Sequence, residues 1–280
     1  MLKKAYIEIT NVCNLSCAFC HGTRRAPRLL PPEDFRLFAE KLRPLTPYFY
    51  LHVLGEPLTH PALDAILSVC DGLAAKVTLV TNGMLIEKAG VLLLTHPCLY
   101  KTAFSLHAFD PNFPHGDPEG YLSPILAFAR AAAPGVIVVY KFWNGGAPGK
   151  SDPYFYRRLR ETYGDFTPAR NGYRLAENVF LDAADRFSWP DLTADETPPA
   201  FCMALRDQLA VLSDGTVTPC CLDADGAIPL GNLYTDDPAE ILRSPRAKAI
   251  VDGFSAGRPT EDLCRRCGFA AARFGTEMKN

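Results

Sequence analysis

The chain has 280 residues, which leaves room for one large domain or for one large and one small domain. Hydrophobic residues make up 48% of the chain and charged residues 21%, so a disordered or fibrous protein is excluded. The net charge of −2 provides no basis for bulk binding to nucleic acid or to an anionic membrane. Because no apolar run reaches the ~18 residues of a spanning helix and no signal peptide opens the chain, we expect a cytoplasmic protein without a membrane partner.

The first two-thirds of the chain alternates strand-like and helical segments. Strands are predicted at residues 5–10, 49–54, 77–81, 102–106, 136–142 and 179–181. Helices are predicted at residues 32–42, 62–70, 123–133 and 153–163, and a further helix follows Asn82-Gly83 and ends at Leu94. Strands separated by helices of this length are typical of parallel βαβ units. At least five such units in series favour a closed or partly closed α/β barrel.

The pattern changes in the last third of the chain. Residues 191–199 have the composition of a linker, and a hairpin at 209–212 and 216–218 follows, turning at Asp214-Gly215. A helix is predicted at 238–250 before a cysteine-rich end. The sequence therefore predicts two domains, 1–195 and 196–280.

Ten cysteines are unusual for a protein without an export signal, where disulfides are rare and clustered cysteines more often bind metal. Eight of the ten form two groups. The first contains Cys13, Cys17 and Cys20, and the second contains Cys202, Cys220, Cys221, Cys264 and Cys267. Cys70 and Cys98 stand alone and are predicted to be structural.

The first group follows the first predicted strand at CxxxCxxC spacing. Three thiolates in one loop can hold three irons of a [4Fe–4S] cluster and leave the fourth iron without a protein ligand, whereas electron-transfer clusters have four cysteines. An open coordination position is typical of a catalytic metal site. Two alternatives stay open from the residues alone, namely three core cysteines or a zinc site completed by His21.

This spacing, with Phe19 before the third cysteine, resembles the radical S-adenosylmethionine (SAM) superfamily. The resemblance implies an α/β fold with a partial (β/α)6 barrel of the TIM type, and a cluster whose open iron binds the amino and carboxylate groups of SAM. Leu54-Gly55-Glu56-Pro57 is similar to the family's Gly-Gly-Glu-Pro motif, which implies that Gly55, Glu56 and Pro57 contact the SAM amino group. Leu54 stands where the family motif has its first glycine. On its own, the motif is also compatible with an ordinary turn.

Further candidates lie at the ends of later predicted strands. Thr81 and Asn82 end the third strand, where the family often has the same Thr-Asn-Gly tripeptide. Ser105 and His107 are predicted to alternate on one face of the next strand. The resemblance implies contacts with the SAM ribose or carboxylate there, while a core serine and a rim histidine are the alternative. Lys141 is a strand-end cation suited to a carboxylate, or else a surface lysine.

The second group has four ligand candidates, which are Cys202, Cys220, Cys264 and Cys267. A hairpin cysteine and a downstream CxxC motif suit a four-thiolate site, and zinc and [4Fe–4S] remain equal alternatives on residue grounds. The pattern resembles the twitch domain, a shortened SPASM extension of radical SAM enzymes, which implies one auxiliary [4Fe–4S] cluster. We expect one such cluster because no cysteine follows Cys267, and we expect Cys221 to be a packed neighbour of Cys220.

The resemblance implies reductive cleavage of SAM and removal of a hydrogen atom from a substrate, with a flavodoxin or ferredoxin as electron donor. The auxiliary cluster would accept an electron in a net oxidation, although lyase chemistry is equally allowed. Glu8 and Lys141 are catalytic candidates, and Glu8, on an inward strand face, must be functional or paired with Lys141 or another cation. Candidate substrate contacts are Tyr6, Glu8, His52, Trp143 and Asn144.

Three classes of function remain open from the sequence. A small-molecule substrate such as a polyol or a modified nucleobase is favoured. Peptide-modifying relatives often carry a leader-recognition domain before the first strand, and we expect none here because the first predicted strand begins at residue 5. A peptide maturase is the alternative enzyme. A non-enzymatic iron–sulfur or zinc module is the third reading, but a zinc module would leave Cys13, Cys17 and Cys20 without a purpose.

Overall fold

The computed structural model describes residues 1–170 and 172–276, which form two compact units. The first unit combines Met1–Val12, His21–Gly55 and the chain from Phe187 onward. The second combines Cys13–Cys20 with Glu56–Arg186. Among the described residues, no helix is both long and apolar enough to cross a membrane.

The described strands have two to nine residues each, and the described α-helices have four to fifteen. The strands are β1 (Lys4–Ile7), β2 (Tyr48–Tyr50), β3 (Lys76–Thr81), β4 (Leu99–Ser105), β5 (Ile137–Gly145), β6 (Thr167–Ala169), β7 (Gly172–Ala176), β8 (Val179–Asp185), β9 (Gln208–Val211), β10 (Thr216–Thr218) and β11 (Gly231–Asn232). The helices are α1 (Pro32–Leu42), α2 (Leu63–Gly72), α3 (Ile86–Thr95), α4 (Phe109–Asn112), α5 (Pro118–Ala132), α6 (Asp152–Tyr163), α7 (Pro238–Arg243), α8 (Pro245–Ser255), α9 (Asp262–Arg265) and α10 (Gly268–Phe274).

In the first unit, the strands are ordered β11-β10-β9-β1-β2. Strands β9, β1 and β2 are parallel, and β9, β10 and β11 are joined by antiparallel pairings. Ala5 is paired with Phe49 on one side and with Leu209 on the other, so β1 is central and fully flanked. The hairpin predicted for the second domain therefore extends the sheet that contains the N-terminal strand.

In the second unit, the strands are ordered β3-β4-β5-β8-β7-β6. The first four are parallel, whereas β8, β7 and β6 are antiparallel. Because parallel strands end at the same edge of a sheet, the residues at and just after the carboxyl ends of β3, β4 and β5 lie on one edge. These are the positions of Thr81-Asn82, Ser105-His107 and Asn144.

Helix α1 matches its predicted bounds, because Pro31 and Pro32 start it and Phe35, Phe38, Ala39 and Leu42 form one buried stripe. Other bounds were wrong. The predicted helix at 238–250 is two helices, since Pro245 begins α8 and the Ser244 hydroxyl accepts a hydrogen bond from the Ala247 backbone N–H. The β6–β7 hairpin was missed because Pro168 lies in its first strand, where proline is disfavoured.

The prediction that His107 continues the strand after Ser105 was also wrong. Strand β4 ends at Ser105, and Leu106–Ala108 form a 3-10 turn that carries His107. Similarly, the predicted strand at 49–54 ends at Tyr50, so His52 lies beyond the strand. In both places the chain bends early because the residues at the carboxyl edge of the sheet form the turns of the site.

Candidate active site

The loop with the first three cysteines presents its thiols at the surface of the second unit. Cys13 and Cys20 are exposed and Cys17 is half-buried. The Cys20 backbone N–H donates to the Cys17 carbonyl at 3.0 Å, and the Leu15 backbone N–H donates to Cys13 Sγ at 3.4 Å. The loop is therefore a short turn whose sulfur atoms stay accessible.

Asn112 is a contact of this loop that the sequence did not reveal. Its Nδ2 donates to Cys17 Sγ at 3.1 Å and to the Ala108 carbonyl at 2.7 Å. Its Oδ1 accepts a hydrogen bond of 3.0 Å from the Ser16 backbone N–H. One amide on α4 thus holds both a ligand candidate and the backbone before it. No local signal marks Asn112, because it lies 95 residues from Cys17.

Asn82 approaches the same loop from the end of β3. Its Nδ2 donates to Asn14 Oδ1 at 2.8 Å and lies 4.0 Å from Cys13 Sγ. The Tyr121 hydroxyl donates to the Asn82 carbonyl at 2.8 Å, which fixes the backbone. The predicted residue Asn82 therefore contacts the cysteine loop itself.

Glu56 is buried, and its carboxylate is used within the protein. Its Oε2 accepts a hydrogen bond of 2.7 Å from the Asn82 backbone N–H, and its Oε1 accepts one of 3.1 Å from Leu58 in the 3-10 turn that Pro57 begins. Burial raises the pKa of Glu56, while the Asn82, Thr81 and Leu58 hydrogen bonds oppose that rise. Glu56 joins two of the predicted motifs, the one after β2 and the one after β3.

Gly55 has a conformation that other residues avoid. Its φ is +74°, and a Cβ built on it would lie 2.4 Å from the Thr10 carbonyl oxygen and 2.9 Å from that of Val12. Glycine is required here because the chain passes directly against the backbone that follows β1. Leu54, which departs from the family motif, is buried in an apolar cluster and is tolerated for that reason.

His107 and Phe19 are neighbours, with ring centroids 5.1 Å apart. The Nδ1 atom of His107 lies 3.0 Å from the Lys141 carbonyl oxygen. Burial, together with the cations of Lys141 and Arg186, lowers the pKa of His107 to about 4, and the hydrogen bond to the Lys141 carbonyl opposes this decrease. The Arg186 guanidinium also lies 5.0 Å from the Phe19 ring centroid. His107 is therefore neutral at physiological pH, beside two cations and the aromatic residue of the cysteine loop.

Lys141 has an aromatic neighbour on its own strand, β5, and an acidic neighbour on the adjacent strand, β8. Its Nζ lies 3.4 Å from the centroid of the Trp143 ring, whose Nε1 donates to Asp182 Oδ2 at 3.3 Å. Strand register pairs Lys141 with Ser105 on one side and with Asp182 on the other, so the three residues share one face. Ser105 is half-buried there.

Glu8 is fully buried and has an ion-pair partner, Arg25. Arg25 Nη2 donates to Glu8 Oε1 at 2.6 Å. Glu8 Oε2 accepts from both the backbone N–H of Ser213, at 3.1 Å, and the Ser213 hydroxyl, at 3.0 Å. Leu54 contributes a longer backbone contact of 3.4 Å to Oε1. The cation beside Glu8 is Arg25, and the sequence had left the partner open between Lys141 and another cation.

Four cysteines of the second group line one pocket in the first unit. They are Cys202, Cys220, Cys264 and Cys267. The rest of the lining is mostly apolar, with Ile228, Phe254 and Leu263 among it. Burial raises the pKa of the thiols, that of Cys267 to about 11, and the neighbouring cysteines add to the effect. The pocket therefore brings four cysteines together among mostly apolar residues.

Cys221 lies outside this pocket. It packs against a buried cluster that contains Tyr6, Leu54 and Leu212, and its thiol is hydrogen-bonded to the Tyr6 side chain, whose pKa is raised by burial and then by Cys221. The isolated cysteines are buried, and Cys98 Sγ donates to the Leu67 carbonyl at 3.5 Å. Cys220, not Cys221, thus faces the other three thiols.

The two sets of thiols fit two kinds of iron–sulfur site. Cys13 and Cys17 have raised pKa values because of partial burial, so bound metal is what would deprotonate them. Within the described ranges, no three His, Cys, Asp or Glu side chains converge on a single ion position. The four enclosed thiols surround a space, which suits a cluster of several atoms. In the loop of the other three cysteines, Cys13 and Cys20 are exposed.

Comparisons with known proteins agree with this arrangement. The profile of the radical SAM superfamily matches residues 7–132, and that of the SPASM iron–sulfur cluster-binding domain matches residues 202–268. They lie on either side of the predicted boundary at residue 195, which stays a prediction. A probable GTP 3′,8-cyclase of Pyrobaculum aerophilum is 33% identical over 114 residues, or 40% of this chain and 36% of the relative.

Other relatives cover more of the chain. The sporulation killing factor maturation protein SkfB of Bacillus subtilis is 24% identical over 84% of this chain and 63% of its own length. The chain therefore spans less than two-thirds of both curated relatives. BtrN, in a crystal structure with AdoMet and 2-DOIA, has a TM-score of 0.57 and 19% identity over 95% of this chain and 93% of BtrN. Native anSMEcpe with bound AdoMet has a TM-score of 0.64 and 12% identity over 99% of this chain and 92% of that one.

Residues 7–132 form a radical SAM domain, and residues 202–268 form a SPASM-type iron–sulfur cluster-binding domain. Its fold is the mixed α/β, mostly parallel architecture of a partial radical SAM barrel, as predicted. Its cofactors are [4Fe–4S] clusters and SAM.

Proposed function

We propose that the protein is an enzyme that cleaves SAM reductively and removes a hydrogen atom from a polar small molecule. The observation that carries this proposal is the difference between the two thiol sets: three lie in one short loop, where Cys13 and Cys20 are exposed, and four line one pocket. A cluster with three protein ligands keeps one iron open, whereas four ligands close it. The first set suits a reactive site and the second an auxiliary site.

Cys13, Cys17 and Cys20 would hold the first cluster, and Cys202, Cys220, Cys264 and Cys267 the second. When bound, the first cluster and SAM supply a 5′-deoxyadenosyl radical that abstracts hydrogen from the substrate. The amides of Asn112 and Asn82 would donate to the sulfur atoms of Cys17 and Cys13, and such donors tune the metal and orient its ligands. Glu56 would act through the Asn82 backbone, which it fixes at the loop.

The substrate would bind to the sheet face that carries Ser105, Lys141 and Asp182. Trp143 presents an aromatic surface to the Lys141 ammonium group on this face. Lys101 lies on the same face of β4, four residues before Ser105. Burial lowers the pKa of Lys101, and the nearby Asp182 carboxylate opposes this decrease. Cations, a carboxylate and an indole suit a ligand with hydroxyl, amine or acidic groups. BtrN, crystallised with 2-DOIA, is a relative of this fold with a small ligand.

Cys202, Cys220, Cys264 and Cys267 would hold an auxiliary cluster, which would supply one-electron redox chemistry and so allow the net reaction to be an oxidation. Its pocket is lined by apolar residues and offers four sulfur ligands, so no iron is left for a substrate. A flavodoxin or ferredoxin would supply the electron that starts the reaction. A lyase reaction would use the same site without net electron transfer.

A second candidate is peptide modification. The match to the maturation protein SkfB covers 84% of this chain, more than the cyclase match does. A SuiB crystal structure with its precursor peptide SuiA also has this fold, with a TM-score of 0.56 and 17% identity. A peptide substrate would need the same radical chemistry and a different set of contacts at the open side of the loop.

The test is the yield of 5′-deoxyadenosine from anaerobically reconstituted protein with SAM and dithionite, measured by mass spectrometry. We expect product from the wild-type chain and none from Cys17→Ala. A small-molecule extract of the source cells should raise the yield, and the peptide fraction of the same extract should not. Stimulation by the peptide fraction alone would favour the second candidate. Absence of product from protein with a full iron complement would refute both.

A further inference from the structure

The residues that follow Cys20 are bound by a turn from the cluster-binding domain. Asp225 Oδ2 lies 3.1 Å from His21 Nε2. Asp225 Oδ1 accepts from the Thr23 hydroxyl at 3.0 Å and from the Arg24 backbone N–H at 3.2 Å. One carboxylate therefore contacts three of the first four residues after Cys20. The side chains of His21 and Asp225 are only 25% and 30% exposed, so water screens their contact only partly.

The same turn binds Arg25. Its Nε donates to the Ala224 carbonyl at 2.9 Å, while its Nη2 donates to the buried Glu8 carboxylate. The Arg25 backbone N–H also donates to the Thr23 hydroxyl oxygen at 3.0 Å, which links the two residues. The segment is thus anchored on both sides, by Glu8 of the central strand region and by Ala224-Asp225.

The turn itself is rigid. Asp223 is buried, and its two carboxylate oxygens accept from the backbone N–H groups of Ala227, at 2.8 Å, and Ile228, at 2.9 Å. Asp223 also lines the four-thiol pocket, and Asp225 lies five residues after Cys220. A single loop of the C-terminal domain therefore borders the pocket and binds the segment that leaves the cysteine loop.

We propose that Asp225 is a positioning residue for the first cluster, which holds the segment after Cys20 in the conformation that binds SAM. This inference rests on the proposed function. A ligand loop that leads into an unanchored segment samples more conformations, and ordering it costs free energy when SAM binds. Charge-assisted hydrogen bonds to the Asp225 carboxylate order the segment after Cys20 before SAM binds, so less ordering remains for the binding step. Occupancy of the auxiliary pocket would act on SAM binding through the same turn.

The experiment compares Asp225→Ala with the wild-type chain after anaerobic reconstitution. The primary measurement is the SAM concentration that half-saturates the change in the EPR spectrum of the reduced protein. The second is the KM for SAM, separately from kcat, in 5′-deoxyadenosine formation without substrate. Because Asp225→Ala removes all three contacts, we expect both SAM values to rise by at least about tenfold, the size of a single charge-assisted hydrogen bond, with iron content and kcat unchanged.

Matched variants separate positioning from folding. Asp207→Ala removes a carboxylate that pairs with Lys3 in the same unit and should leave SAM affinity unchanged. Thr23→Val keeps the shape of the side chain but removes the hydroxyl, and should weaken SAM binding by a smaller factor. Thr23→Ser keeps the hydroxyl and should restore wild-type affinity.

The outcomes decide the inference independently of the proposed reaction. Wild-type SAM affinity in Asp225→Ala would overturn it. If Asp225→Ala loses iron or fails to fold, Thr23→Val decides, and wild-type affinity in that variant would overturn the inference as well. If the wild-type protein forms no 5′-deoxyadenosine, the proposed function fails, while the EPR titration with SAM still tests the role of Asp225.

Discussion

The backbone N–H of Asn82 donates a hydrogen bond of 2.7 Å to the Oε2 atom of Glu56. This bond connects the turn after β2 with the turn after β3, and the Asn82 side chain continues to the loop of Cys13. Glu56 was expected to contact SAM directly. Its two oxygens already hold backbone groups, so its effect on SAM would pass largely through the turns that it fixes.

Glu56→Ala should lower the free energy of unfolding by about 2–3 kcal/mol, because two buried backbone N–H groups lose their acceptor. The measurement is guanidinium unfolding of the reconstituted protein followed by circular dichroism. Glu40→Ala is the control, since Glu40 is an exposed residue of α1 and its loss should change stability by less than about 0.5 kcal/mol. Equal stability of the two variants would show that Glu56 does not hold these turns.

Asn112→Asp should make the reduction potential of the first cluster more negative. The substitution removes the Nδ2 donor to Cys17 Sγ and places a negative charge beside the sulfur, and both changes disfavour addition of an electron. The potential is measured by redox titration with EPR detection. Asn178→Asp, which loses an amide donor to the Ala133 carbonyl instead, should keep the wild-type potential. If the wild-type protein and both variants had the same reduction potential, Asn112 would have no effect on the cluster.

Cysteine variants should divide the iron content between the two sites. We expect about eight irons in the wild-type protein and about four in Cys264→Ala, because each cubane holds four. Cys264→Ala should still cleave SAM to a measurable extent. Cys221→Ala is the matched control and should keep about eight irons, since Cys221 lies outside the four-thiol pocket. Loss of half the iron in Cys221→Ala would reverse the assignment of Cys220 and Cys221.

His107 should make stability depend on pH in the acid range. Its folded pKa of about 4 lies below the ordinary value of 6.5, chiefly because of burial, so the unfolded chain binds the proton more readily. Above the ordinary value both states are neutral and the contribution vanishes. Stability is lost as the pH falls from 6.5 towards 4, by about 2 kcal/mol between pH 7 and pH 5.

The measurement for His107 is guanidinium unfolding of the wild-type protein and His107→Asn at both pH values. Asparagine keeps a donor near the Lys141 carbonyl but cannot titrate. The wild-type protein should lose about 2 kcal/mol more than the variant on acidification, since other groups titrate alike in both. Parallel losses would mean that His107 is accessible to protons in the folded state.

Features with a local cause were predicted well from the sequence. Two prolines and a buried stripe define α1, and the order of strands and helices indicated parallel βαβ units before any contact was known. The thiol spacing of the first loop indicated an iron–sulfur site because all three cysteines lie within eight residues. Errors occurred where the chain bends at the edge of the sheet, as at His52 and His107, because such turns depend on what they pack against.

The sequence by itself indicated two cysteine sites, and its resemblance to the radical SAM superfamily indicated their cofactors, because the motifs that carry the resemblance lie close together along the chain. It also predicted that Glu8 is functional or paired with a cation. Only the folded chain selected Arg25 and Ser213 for Glu8, Asn112 for Cys17 and Asp225 for the segment after Cys20. These groups are 17, 205, 95 and about 200 residues apart along the chain. Hydrogen bonds of this kind form between strand ends and turns that meet only after the sheet has assembled, and no local pattern specifies which residues will meet.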